Sequence, residues 1–282
     1  MLLALPIYGQ NRETDYLSHV LEKMNAVESV TYHCVKKAWE PGDKEPVYSV
    51  PTEIYEHVNP QDTAVGYSFL CASDKEFRQP LWVYDGTVFA YIEKEEKEVR
   101  IDDFTQKSPL PFRVIMPQAF GCMKSILEYV LNTQDSIVLS LKDEGKDYLM
   151  ELSIHTPYQV EFFGKACYMP QNPYIYDPTS IYKIWISKEN DMPYRYRREM
   201  QHSISEGICS DFVYNPYGKG KIVAEDYYPA DYVRRIKGEK SQKATVDMTG
   251  KKAPDWTLTD MKGQQVSLSG IKSKVILLQF TG

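Results

Sequence analysis

At 282 residues, with 43% hydrophobic side chains and a formal charge of −6, the chain is long enough for one large folded domain or two ordinary ones. This balance excludes an intrinsically disordered chain and a nucleic-acid binder driven by bulk charge, and no apolar run is long enough to cross a bilayer as a helix. Twenty-two tyrosines and an aromatic share of 13% favour a sheet-rich fold, because aromatic side chains suit a pleated, half-buried surface.

Residues 1–10, MLLALPIYGQ, read as the tail of a secretory signal peptide without its basic start, with a short apolar strand as the alternative. No cysteine lies nearby to carry a lipid anchor, so a secreted, non-lipidated protein of the periplasm or bacterial cell envelope is expected. Residues 15–27 predict a helix with Leu17, Val20, Leu21 and Met24 on one face. From Ser29 the period changes to two, and strands are predicted at 29–35, 47–58 and 64–73. A hairpin follows, with strands 81–84 and 87–94 around Asp85-Gly86. A second helix is predicted over 118–131, after Pro117, with Phe120, Met123, Leu127 and Val130 at helical spacing. Strand patterns return at 137–141, 148–154, 159–168, 180–187, 194–202 and 207–214. Residues 231–249 are charged and poorly periodic and read as a linker.

Few residues point to chemistry. The five cysteines, Cys34, Cys71, Cys122, Cys167 and Cys209, are widely spaced, which excludes a zinc site built on close pairs. Two of them could form a disulfide in an oxidising compartment, but spacing does not identify which, and burial as small hydrophobes is the simpler reading. His33 and Cys34 leave opposite faces of a strand and cannot act as a base–nucleophile pair. His19, His57, His155 and His202 have no partner at metal-ligand spacing, so no metal, cofactor or catalytic residue is expected. The charged run 93–98 reads as a solvated turn, and Gly218 and Gly220 as a turn rather than a phosphate loop. Arg195, Arg197 and Arg198, with Tyr194 and Tyr196, read as a carboxylate-paired strand surface rather than a nucleic-acid platform. The remaining constellation is aromatic: Trp82, Tyr84, Phe89 and Tyr91, with Tyr182 and Ile184, could line an apolar hollow or simply fill a core.

An N-terminal helix followed by hairpins and one later helix, with the segments Trp82-Val83-Tyr84-Asp85-Gly86-Thr87 and 181–194, resembles the LolA/LppX-like lipoprotein-carrier fold over roughly residues 15–230. The resemblance implies an α+β, mainly antiparallel fold, a curved open sheet or half-barrel with covering helices. Its concave face would take a hydrophobic ligand, an acyl chain or lipoprotein, or a client polypeptide. Toward the C-terminus, Ala253-Pro254-Asp255, a turn at Asp260-Met261-Lys262-Gly263 between β-prone runs, and the apolar run 275–280 resemble the start of a TlpA- or peroxiredoxin-like thioredoxin domain. That resemblance implies a parent thiol-disulfide oxidoreductase with a redox partner, whose Cys-x-x-Cys motif is absent here, so that this chain would be an inactive fragment of it. A non-enzymatic carrier or envelope-stress sensor is the alternative. The expected organisation is a signal-peptide remnant (1–10), a curved-sheet domain (11–230), a linker (231–249) and an incomplete thioredoxin-like segment (250–282).

Overall fold

The computed structural model describes residues 8–105, 112–115, 118–218, 220–239, 249–260, 262–273 and 275–276. The chain forms two compact units, divided between residues 239 and 240.

The first unit is an open, curved sheet of twelve strands. Helix α1 (Tyr8–Asn25) leads into a meander of β1 (Ser29–Trp39), β2 (Tyr48–Val58), β3 (Tyr67–Ala72), β4 (Pro80–Tyr84), β5 (Val88–Glu93) and β6 (Glu98–Asp103). Helix α2 (Ala119–Asn132) then carries the chain to the opposite edge. There β7 (Ile137–Asp143), β8 (Asp147–Ile154), β11 (Ser180–Ser187), β12 (Met192–Met200) and β13 (Ser203–Tyr214) return toward the centre, and β13 pairs with β1. A small hairpin, β9 (Val160–Phe162) and β10 (Ala166–Tyr168), stands apart from the main sheet. The final strand, β14 (Val233–Ile236), adds to the edge beside β6 in parallel, the one parallel pairing among the described strands. A long connection makes this possible, because parallel neighbours cannot be joined by a tight turn.

Alternation fixes the faces. Along β11, Ser180, Tyr182, Ile184 and Ile186 are buried while Ile181, Lys183, Trp185 and Ser187 are partly exposed. The inward face carries the main core, closed by Leu17, Val20 and Met24 of α1 and by Phe120, Met123, Ile126, Leu127 and Val130 of α2. These helical side chains recur every three or four residues, which places them in one stripe against the sheet. The outer face of β2–β6 has its own core, where Tyr55, Leu70, Val83, Ala90 and Val99 lie under Ile222 and Ala224 of the segment that follows β13. Covered on both sides, β3 is buried at every position.

Three parts of the sheet unit differ from the sequence expectation. Residues 98–103, for which the sequence reading gives no strand beyond the charged turn 93–98, form β6, where Val99 and Ile101 alternate with charged residues. Residues 159–168 are a hairpin rather than one strand, because Gly164 turns the chain at φ +81° and lies against the Val65 carbonyl, where a Cβ would stand 2.0 Å from the oxygen. Within the expected linker, residues 233–236 are β14, where Arg235 pairs with Glu98 of the neighbouring strand β6 and Arg234 with Glu225 of the preceding turn.

In the second unit, β15 (Thr257–Thr259) and β16 (Gln265–Ser267) form the expected hairpin. Asp260 closes it by accepting from the Lys262 and Gln264 amides, both at 2.8 Å. Of the predicted apolar strand 275–280, Val275 and Ile276 carry no strand structure and 277–280 lie outside the described residues, as do residues 1–7 of the signal-like start; Tyr8–Gln10 belong to α1.

Candidate functional site

The site is built on the β4–β5 hairpin. Asp85 opens the turn, its Oδ1 accepting from the Thr87 amide at 2.8 Å and the Val88 amide at 3.0 Å, and Gly86 takes φ +97°. The register sets Trp82 opposite Tyr91 and Tyr84 opposite Phe89, so these four rings share the inward face. Tyr84 is sealed at its base. Its hydroxyl donates to Asp62 Oδ2 at 2.6 Å and accepts from Arg113 Nη1 at 2.6 Å, while the same guanidinium reaches the Gly86 carbonyl at 2.5 Å and lies over the Phe104 ring. Burial, together with the Asp62 carboxylate, holds the Tyr84 phenol far above its ordinary pKa, so it stays a neutral structural donor.

Beyond this anchor the helical cover stops. Trp82 stacks on Tyr91 with centroids 5.7 Å apart, and Phe89 meets Tyr91 edge-on at 5.8 Å. Tyr91 remains 47% exposed. Phe89 also touches the buried Phe69 ring, which joins this strip to the main core. Lys36 Nζ sits 4.9 Å above the Trp82 ring.

Phe89 and Tyr91 form one side of an open groove of about 500 Å³. Its opposite wall comes from β6 and β14. Arg100 bonds Glu93 at 3.0 Å and Glu98 at 3.5 Å, Arg235 bonds Glu98 at 2.5 Å, and Lys237 bonds Asp102 at 2.5 Å. The Arg235 hydrogen bond holds the Glu98 carboxyl below the usual carboxylate range. Each of these cations has an acidic partner, so the groove combines an aromatic floor with an electrically balanced rim. Such a site can bury an apolar chain while its polar end stays in water; it offers no nucleophile with an adjacent base.

The structure therefore brings together Trp82, Phe89 and Tyr91, with Tyr84 buried beside them. Tyr182 and Ile184 do not join them. Both are almost fully buried on β11, across the sheet, where Tyr182 packs edge-on against Phe162 at 4.9 Å and donates to the Val160 carbonyl at 2.8 Å. That region is filled by side chains, so neither residue is open to a ligand. Sequence reasoning missed the far wall: the acidic groups were read as a turn, and Arg235 and Lys237 as part of a linker. The β-branched Val233 and Ile236 on either side of two arginines were the only local signal of a strand.

Other clusters resolve as structure. Arg195 and Arg197 lie over Trp185 and Trp39, with centroid distances of 4.0 and 4.8 Å, and pair with Glu206 and Glu199. Two of the three arginines of the basic patch are thus neutralised on their own sheet, whereas Arg198 turns to the inward face, where it is buried and paired with Glu161 of the β9–β10 hairpin. Among the described residues no group of three His, Cys, Asp or Glu could hold a metal ion, and no helix is long and apolar enough to cross a membrane.

The sequence matches no protein-family model and no curated protein. Among solved structures, lipoprotein LppX from Mycobacterium tuberculosis is similar at 8% identity and TM-score 0.37, covering 74% of this chain and 97% of that one. LprF from Mycobacterium bovis is similar at 11% identity and TM-score 0.36, covering 74% and 98%. A LolA superfamily protein from Nitrosomonas europaea is similar at 10% identity and TM-score 0.27, covering 77% and 99%. At these values the likeness concerns the path of the chain and says nothing about a ligand.

Proposed function

We propose that the sheet unit is a non-enzymatic carrier of the cell envelope that holds an apolar chain, the acyl chain of a lipid or lipoprotein or the apolar face of a client polypeptide, against Trp82, Phe89 and Tyr91. The observation that carries this reading is the stacked aromatic strip left open on the inward face where the helices stop covering it. Fatty acids of increasing length test it by calorimetry. Burial is worth about 0.8 kcal/mol per methylene, so two added methylenes should tighten binding about fifteenfold until the groove is filled. Phe89→Ala with Tyr91→Ala should abolish that dependence. Affinity that ignores chain length, or survives both substitutions, contradicts the proposal.

Thiol exchange by the described residues is disfavoured. Burial pushes the Cys71 and Cys122 thiols up to about 12 and Cys209 well above its ordinary value, opposite to the thiolate an exchange nucleophile needs. For residues 250–282 the thioredoxin-like reading stands as a separate proposal, supported by the Asp260 turn and its hairpin; it requires a Cys-x-x-Cys encoded soon after Gly282 in the same reading frame.

A further inference from the structure

We infer that Cys34 and Cys209 form a disulfide that staples the centre of the sheet when the chain folds in contact with a disulfide oxidant. The two residues lie 175 positions apart in sequence, yet the register of β1 and β13 sets them directly opposite one another. Directly opposed residues of antiparallel strands have Cα atoms about 4.5 to 5.5 Å apart, inside the range that a disulfide spans. Both side chains turn to the inward face, and their sulfur atoms lie 3.0 Å apart, well within the contact distance of two unbonded sulfurs. Cys71 faces the same core but sits on β3, two strands from β1. At about 4.8 Å per strand that is roughly 10 Å, beyond the reach of a bridge. The pairing that sequence spacing left open is thereby selected by the fold.

The location gives the bond a purpose. The pairing of β1 with β13 is the seam where the outgoing meander β1–β6 meets the returning strands β7–β13. A link here closes a long loop and constrains the unfolded chain, which is where disulfides exert most of their stabilising effect in the chain-entropy account. Cys34 is fully buried and Cys209 nearly so, so oxidation takes place before the seam is packed, and the folded core afterwards shields the bond from soluble thiols.

The chemistry balances with a low-molecular-weight disulfide as oxidant. One cysteine thiolate attacks a sulfur of oxidised glutathione, forming a mixed disulfide and releasing one glutathione thiolate. The second cysteine thiolate then attacks the protein sulfur and displaces the other glutathione. The protein loses two protons and two electrons, and one glutathione disulfide becomes two glutathione thiols.

The test uses the full chain, refolded in a mixture of oxidised and reduced glutathione, then denatured and alkylated before any reduction. Of the five cysteines, three should be alkylated, and trypsin should release residues 24–36 joined to residues 199–219. Wild-type protein refolded with reductant throughout should unfold several degrees below the oxidatively refolded protein, whereas a Cys34→Ala, Cys209→Ala double variant should unfold at the same temperature under both conditions. Alkylation of all five cysteines after oxidative refolding, or a bond involving Cys71, Cys122 or Cys167, would overturn the assignment.

Discussion

Glu56 is the residue whose environment differs most from what its type leads one to expect. It lies inward on β2 beneath the first turn of α2, almost fully buried, and accepts hydrogen bonds from the Phe120 amide at 3.0 Å, the Gly121 amide at 3.1 Å and the Tyr32 hydroxyl. Gln118, at the N-cap of α2, provides no side-chain cap, so Glu56 satisfies from across the core the amides a capping residue would have served. Burial still dominates these bonds and raises its pKa from 4.5 to about 7. A carboxyl raised in the fold favours folding in its protonated form; the contribution is complete below the unfolded pKa and is lost as pH rises through the folded one. Wild-type stability measured against Glu56→Gln should therefore decline between about pH 4.5 and pH 7, by up to roughly 3 kcal/mol. Urea unfolding of both proteins across that range checks this, and a difference that stays flat with pH contradicts it. Position 56 was legible as inward-facing from the alternation of β2, but its helical partner was not, because a contact to α2 spans more than sixty residues and leaves no local pattern. Glycine 207 is a similar case. It stands opposite Tyr196 because a Cβ there would lie 2.4 Å from the ring, and its spacing in the sequence reveals nothing of this.

Among the elements, the β9–β10 hairpin shows how one long predicted strand becomes a lid on the core. Phe162 packs between Tyr129 of α2 and Tyr182 of β11, and Glu161 reaches the inward-facing Arg198 of β12 at 2.9 Å from Nε. Both partners of this pair are buried. Removing one member of such a pair strands a charge and costs about 3–5 kcal/mol, whereas replacing both with apolar groups is often close to neutral. Arg198→Met should therefore destabilise the protein strongly, and Arg198→Met with Glu161→Leu should regain most of the loss. Chemical denaturation of the three proteins measures this, and a double variant as unstable as the single one would show that the pair is not an isolated unit. The helices and most strands were legible because their side chains repeat at the period of their backbone. Strands β9, β10 and β14 were not, since three or four residues hold too little alternation to separate a strand from a loop, and β6, whose Val99 and Ile101 alternate with charged residues, was passed over because its charged start reads as a turn. The arginine patch was read correctly for Arg195 and Arg197, which strand parity places together on the outer face beside acidic residues, but not for Arg198, which the same parity turns inward.

At the scale of the whole molecule, the proposed carrier function rests on incomplete coverage. Two helices cannot cover the inward face of a twelve-stranded sheet, and the strap around Arg113 seals the region of Tyr84 but leaves Phe89 and Tyr91 open to the groove, with Trp82 stacked against Tyr91. The antiparallel meander with its two helices was legible from the order of periodic segments, and its curvature only as what the resemblance to the LolA/LppX-like fold implies. The order of strands within the sheet was not, because the closing contact of β13 with β1 and the parallel addition of β14 are long-range pairings. The aromatic constellation is divided in space for a similar reason: β4 and β5 are neighbours in sequence and in the sheet, while β11 merely shares their alternation. The most direct measurement is photolabelling with a fatty acid that carries a diazirine on its acyl chain, followed by mass-spectrometric mapping of the labelled residues. The carrier account predicts adducts on the segments that line the groove, at 89–93, 98–102 and 235–237. Adducts concentrated around Tyr182 and Ile184 beneath α2, or no saturable labelling at all, would contradict it.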